Sequence, residues 1–223
     1  MRDILVDGAD DVEMIVIDGA VRESTQTLAE AMPGRVRLIA EPDDGIYDAM
    51  NKGLAAASGE YVWFLNGGDE AVISWRNLAS LIGRHETSVL LGDYVLAGRR
   101  FDVARRSRAP GSIWHALPTS HQAILYPRGE IGALMYESRF GIVGDYAFTA
   151  RLYVRGIPFA RAFSPLARFH LDGVSSSQAV LIGKQAGVVQ REILGVSRVR
   201  RYASAARHQL SRQLRRMISG EGR

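Results

Sequence analysis

The chain has no cysteine among its 223 residues, which rules out disulfides and thiolate metal sites and leaves oxygen or imidazole ligands for any metal. Mg²⁺ and Mn²⁺ are the natural candidates. No apolar run approaches the roughly 18 to 20 residues of a membrane span. Met1-Arg2-Asp3 begins no charged-then-apolar leader, so the expected compartment is the cytosol. Neither a G-x-G-x-x-G opening a helix after a strand nor a G-x-x-x-x-G-K-[ST] occurs, which sets aside a dehydrogenase and a P-loop nucleotidase. Lysine is scarce too. Lys52 and Lys184 are the only two among 28 basic residues, a bias that reflects genome composition before function.

What is present divides unevenly. Residues 191–223 hold nine Arg and two Glu, a local +7; the overall charge of +4 then leaves the first 190 residues at about −3. An acidic body with a basic appendage suggests separate jobs for the two parts, and no nucleic-acid recognition module is visible. With 47% apolar residues, the chain is long enough for one substantial core.

The first half alternates strand and helix signals. VEMIVID (Val12 to Asp18), Val36 to Ala40 and Tyr61 to Leu65 read as buried strands, with helices over Thr25 to Met32 and after Asp44. That alternation predicts an α/β fold with a mainly parallel central sheet flanked by helices. Asp44 is a candidate N-cap, with Ile46, Met50 and Leu54 as the apolar stripe. The second half reads as a hairpin over Ser88 to Val103, a long loop over Ala104 to Thr119, a strand over His121 to Tyr126, a helix over Asp145 to Val154, an extended stretch over Pro158 to Phe169, and a helix over Ser177 to Leu194. Val199 to Ile218 aligns Ala203, Ala206, Leu210, Leu214 and Met217 on one stripe, with Arg212, Arg215 and Arg216 mostly opposite. This basic amphipathic helix is suited to an anionic membrane surface, and a plain surface helix with solvated arginines would look the same.

In open parallel sheets ligands bind beyond the carboxyl ends of the strands. Two candidate strands end in acid there, Asp18 after MIVI and Asp69 after WFLNGG. Carboxylates at such an edge suit a cation or donor set, or they cap turns. The helix after Asp44 aims its N-terminal amides at the same edge, ready for phosphate, and Asp48, Asn51 and Lys52 share one of its flanks.

The run DGIYDAMNKG followed by AASGEYVWFLNGGDE resembles the inverting family 2 glycosyltransferases of the GT-A fold, the bacterial polysaccharide type. IVIDG at Ile15 to Gly19, SHQA at Ser120 to Ala123, GDYAFTARL at Gly144 to Leu152 and ARFHLDGVSS at Ala167 to Ser176 follow in the family's order. The resemblance implies a nucleotide-sugar domain over residues 1–176, N-terminally shortened, and a helical extension over 177–223. It implies donor contacts from Asp18, Asp48, Asn51, Lys52 and Asn66, and Mg²⁺ or Mn²⁺ on Asp69, with His170 a further ligand. His121 and Gln122 would contact acceptor or donor, and Asp145 would be the catalytic base. The substrates implied are a nucleotide-diphosphate sugar and a saccharide or lipid-linked acceptor. A cell-envelope role would place the protein in the cytoplasm, peripheral at the inner face of the plasma membrane.

Two departures stand out. Family members open with an apolar strand and a helix before the strand matching MIVID, and only Met1 to Asp11 precede Val12 here. The family's Ser-Thr-Asp after IDG is Val21-Arg22-Glu23. They support a second expectation, a truncated non-catalytic relative that binds donor weakly or not at all.

Overall fold

The computed structural model describes residues 11–32, 34, 36–98, 101–170 and 179–207. The opening follows the predicted alternation: β1 (Met14–Ile17), α1 (Glu23–Glu30), β2 (Val36–Ile39), α2 (Ile46–Ala56) and β3 (Tyr61–Trp63). Next come β4 (Glu70–Ala71), α3 (Trp75–Gly83), the hairpin β5 (Val89–Ala97) and β6 (Val103–Arg105), β7 (Ile124–Pro127), α4 (Gly144–Val154), β8 (Phe159–His170) and α5 (Ala179–Glu192). A last helix, α6, covers 198–207.

The α/β class is as expected, and the strand pairing adds detail. β1 and β2 form a parallel two-stranded sheet, whereas β3-β7-β5-β8-β4 form a larger sheet with β6 attached to β5. In the larger sheet β5 and β8 run parallel and the other ladders are antiparallel. Among the described residues, one edge of β1 and one edge of β3 have no strand partner. The small sheet is instead held from outside. Glu13 Oε1 accepts the amides of Ser58 and Gly59 at 2.6 and 2.8 Å and the Ser58 hydroxyl at 2.9 Å.

The core lies on both faces of the larger sheet, where β7 and the first four residues of β5 are buried at every position. Leu91 packs with Met50, Leu54, Val62, Tyr126 and Phe148, while Leu90 faces Leu78, Leu81, Leu125 and Leu166. α4 is buried on a further side, where Tyr146, Ala147 and Ala150 meet Ala186 and Val189 of α5. Burial on several sides explains why α4 lacks a clean apolar stripe.

Two local expectations are corrected. The N-cap of α2 is Gly45, not Asp44: the chain enters the helix with φ 105°, a conformation that favours glycine. The amide of Asp44 donates to the Asp48 carboxylate. Ile46, placed on the buried stripe by its spacing, is 53% exposed, and Met50 and Leu54 are the stripe residues that are buried.

Candidate active site

Asp18 ends β1 and is buried beneath its own turn. Its two oxygens accept the amides of Ala20 at 3.0 Å and Arg22 at 2.8 Å. The Arg22 amide, and next the Thr25 hydroxyl, hold its carboxyl below the usual range. The turn abuts the entrance to α2, since a Cβ on Gly19 would overlap the Asp43 carboxylate.

The polar flank of α2 is occupied by three different jobs. Asp48 caps Asp44 and pairs with Lys52 at 3.4 Å. Burial disfavours the Lys52 ammonium, yet Glu41 at 3.1 Å and Asp48 outweigh it and raise its pKa. Lys52 also donates to the Pro42 carbonyl at 2.6 Å. It thereby ties the loop before α2 to the helix. Asn51 faces inward, donating to the Tyr136 carbonyl at 3.0 Å and accepting the Tyr136 amide at 2.8 Å.

Tyr136 is the hub that sequence reasoning missed. Its ring stacks on Phe148 at 4.2 Å and on Tyr47 at 5.5 Å and meets Phe64 edge-on. Its hydroxyl lies 3.0 Å from His121 Nε2. His121 is buried and stacked on Phe64, and burial lowers its pKa to about 4. It is a neutral member of an aromatic wall. The one signal in the sequence was the number of aromatic residues in its irregular second half, which no periodicity organises.

Gln122, one residue on, reaches the other candidates. Its side chain bonds Asp69 and accepts from the Ser120 hydroxyl at 2.5 Å. Asp69 Oδ2 accepts the Asn66 amide at 2.8 Å, and the Asp69 amide returns to the Asn66 carbonyl, so the Asn-Gly-Gly-Asp turn closes on itself. Burial pushes the Asp69 carboxyl up, against the Asn66 amide and Gln122. The structure thus joins Asn66, Asp69 and Gln122.

Asp145 stands in the first turn of α4, where helix amides favour the ionised form. Its Oδ1 accepts the Tyr146 amide at 2.7 Å. Burial nevertheless wins and raises its pKa to about 6. The junction is held by Tyr47, whose hydroxyl donates to the Ile142 carbonyl at 2.7 Å and accepts the Gly144 amide at 2.9 Å. A continuous chain of contacts therefore runs from Asp69 through Gln122, His121, Tyr136 and Tyr47 to Asp145. It ends in a carboxyl suited to accept a proton near neutral pH.

Among the described residues no group of three His, Asp or Glu side chains converges, so Asp69 and His170 have no third protein ligand beside them. His170 is exposed at the end of β8, paired in register with Ala97. A single carboxylate such as Asp69 still fits Mg²⁺ or Mn²⁺, which commonly take one or two protein carboxylates plus substrate phosphates.

The glycosyl transferase family 2 model matches residues 2–155. A "PGL/p-HBAD biosynthesis glycosyltransferase" of Mycobacterium bovis is 32% identical over 158 residues, 64% of this chain and 59% of that protein. An uncharacterized glycosyltransferase of Mycobacterium tuberculosis is 46% identical over 152 residues, 63% of this chain and 56% of that protein. The chain thus spans less than two thirds of the length of these curated relatives. Its fold is similar to Staphylococcus aureus TarS 1-349 in complex with UDP, with TM-score 0.62 and 16% identity over 98% of this chain and 68% of that one. It is also similar to a Pyrobaculum calidifontis mannosyltransferase in complex with GDP-Man and Mn2+, with TM-score 0.56 and 13% identity over 89% and 65%.

Proposed function

The chain belongs to glycosyl transferase family 2, and from that premise we propose that it transfers a sugar with inversion from a nucleoside-diphosphate sugar to an acceptor hydroxyl. The observation that carries the reading is Asp145, a half-buried carboxyl at the start of α4 with its pKa raised to about 6. As a base it takes the acceptor hydroxyl's proton while that oxygen attacks the anomeric carbon. The new glycosidic bond forms on the face opposite the leaving group, the bond to the diphosphate oxygen breaks, and the nucleoside diphosphate departs with the electron pair. Inversion follows from the single displacement.

The donor lies between Asp18, which meets the nucleotide, and the Asn66 to Asp69 turn. Asp48 and Lys52 line its approach from α2, and Asn51 acts through the Tyr136 backbone that it clasps. Gln122 orients Asp69, and His121 shapes the pocket as an uncharged wall. Mg²⁺ or Mn²⁺ would be held by Asp69, with His170 a peripheral candidate, and when bound supplies neutralisation of the charge on the leaving diphosphate. The relatives named for PGL/p-HBAD biosynthesis support a glycolipid acceptor in the bacterial envelope, with the protein working on the cytoplasmic side of the membrane as part of the same proposal.

One observation favours a second reading, a non-catalytic relative: among the described residues one edge of β1 and one edge of β3 lack a strand partner. Calorimetric titration with UDP, GDP and dTDP, each with and without Mn²⁺, separates the two. Manganese-dependent binding of one nucleotide, weakened in Asp69→Ala and kept in Asp145→Asn while transfer is lost, supports the transferase. Absence of binding by the folded chain supports the non-catalytic relative, and full transfer by Asp145→Asn removes that residue from the base role.

A further inference from the structure

Helix α6 docks by its polar side. Ser204 is 2% exposed. Its hydroxyl lies 2.6 Å from His115 Nδ1 and accepts from Gln190 Nε2 at 3.0 Å, while Gln190 also donates to the His115 carbonyl at 3.0 Å. Arg200 sits over the Trp114 ring, 4.9 Å from its centroid. At 100° per residue, the face opposite Ser204 carries Arg198, Val199, Tyr202 and Ala206. All four are exposed, Val199 at 78% and Tyr202 at 77%. An amphipathic helix that packs on a body usually buries its apolar side, and this one turns it out.

A second apolar element lies at the same corner. Trp114, Tyr153, Val154, Leu194, Val196 and Arg200 line a groove of about 590 Å³ beside the start of α6, and Tyr153 and Val154 are themselves exposed. The segment that supplies this corner is the basic one, with nine Arg against two Glu over residues 191–223. Leu210, Leu214 and Met217 continue the helical spacing of the apolar stripe in the sequence.

We propose that the outward face of α6, with the adjoining groove, is a docking surface for an anionic lipid bilayer. Charge complementarity selects this occupant. A second copy placed face to face would set one +7 segment against another, and nucleic acid would leave the apolar stripe uncovered. An interface of acyl chains beneath anionic headgroups matches both features, the apolar side chains entering the bilayer boundary and the arginines meeting phosphates. The surface lies at the C-terminal end of α4, roughly 14 Å along that helix from Asp145 at 1.5 Å per residue. The inference does not depend on the chemistry at Asp145.

The test is co-sedimentation of the full chain with vesicles of phosphatidylcholine alone and of phosphatidylcholine mixed with phosphatidylglycerol, for wild type and the double variant Val199→Ser/Tyr202→Ser. Both sites are exposed, so folding is unchanged, and circular dichroism confirms it. The expected result is salt-sensitive binding to the mixed vesicles that weakens about tenfold or more in the variant. Equal binding by wild type and variant, binding to neither vesicle, or concentration-dependent self-association that the variant abolishes would each overturn the proposal. Nucleotide titration of the same variant should match wild type, which keeps this outcome separate from that of the transferase reading.

Discussion

The Tyr47 hydroxyl accepts the Gly144 amide at 2.9 Å, so the helix that carries the donor-site motif holds the residue that immediately precedes Asp145. Tyr47 also donates to Ile142 and is more distantly bonded, at 3.4 Å, by the Asp145 amide. One phenol thus fixes three backbone groups at the start of α4, and its place in DGIYDAMNKG reflects this clasp.

Tyr47→Phe keeps the ring stacked on Tyr136 and removes the clasp. Leaving the Ile142 carbonyl and Gly144 amide unpaired in a part-buried site costs about 1–3 kcal/mol, to be read by urea unfolding. Transfer should fall more than donor affinity does, because Asp145 loses its placement while the Asn66 to Asp69 turn is untouched.

Gly144→Ala should also destabilise, for a steric reason. A Cβ there would stand 2.6 Å from Tyr47 Cε2, and overpacking of this kind costs about 1–3 kcal/mol. Gly67→Ala is the control. Nothing lies within 4 Å of its Cβ, so its melting temperature should match wild type.

Asn51→Asp tests whether that residue works on ligand or on Tyr136. Its amide nitrogen donates to the Tyr136 carbonyl, and a carboxylate oxygen there would oppose it. Asn51→Asp should therefore be less stable than Asn51→Ala, with or without nucleotide. Equal stability of the two variants would disprove the clasp.

The pH dependence of Asp145 has a defined sign. Burial raises its folded pKa from 3.8 to about 6, so the folded state holds the proton more tightly than the unfolded chain. The stability this confers is complete below the unfolded value and is lost as pH rises through about 6. Asp145→Asn cannot ionise and escapes that loss. It should gain on wild type by up to about 3 kcal/mol between about pH 4 and about pH 7.5, measured by urea unfolding at both. Wild-type transfer should fall on the acid side of about pH 6.

His121 acts in the opposite sense. Its folded pKa of about 4 lies below the ordinary 6.5, so stability is full above 6.5 and drains as pH falls toward 4. His121→Gln retains a polar partner for Tyr136 without titrating and should flatten that slope in the same unfolding series.

Strands and long helices were legible through short apolar runs, as in MIVI and the VLL that opens β5. Asp18, Asp69 and Asp145 stood out through their motifs, and the structure gives each a defined hydrogen-bond setting. Less legible were features set by tertiary contact. Gly45 took the cap from Asp44 because the chain enters α2 at positive φ, a fact no spacing encodes. Ile46 fits the helical stripe yet meets solvent, since in the first turn of α2 it is Tyr47 that reaches the core. Tyr136 acquires its role from neighbours at positions 47, 64, 121 and 148, which the sequence scatters. The expected stripe on the C-terminal helix was visible through Ala203 and Ala206; its positions from 208 on lie outside the described residues.

The division of the sheet makes affinity a report on motion. Asp18 is carried by the β1–β2 pair, whereas Asp69 and Asp145 belong to the larger sheet and its helix. A nucleotide touching both would span the two sheets, which meet at the Glu13 clamp, at the Arg37 bond to the Ala56 carbonyl and where Ile17 lies beside Gly53. Were the smaller sheet to open as a unit, the fraction of molecules in which it is closed would multiply the intrinsic affinity. Residues far from any ligand, Glu13 first among them, would then become rheostats of donor occupancy.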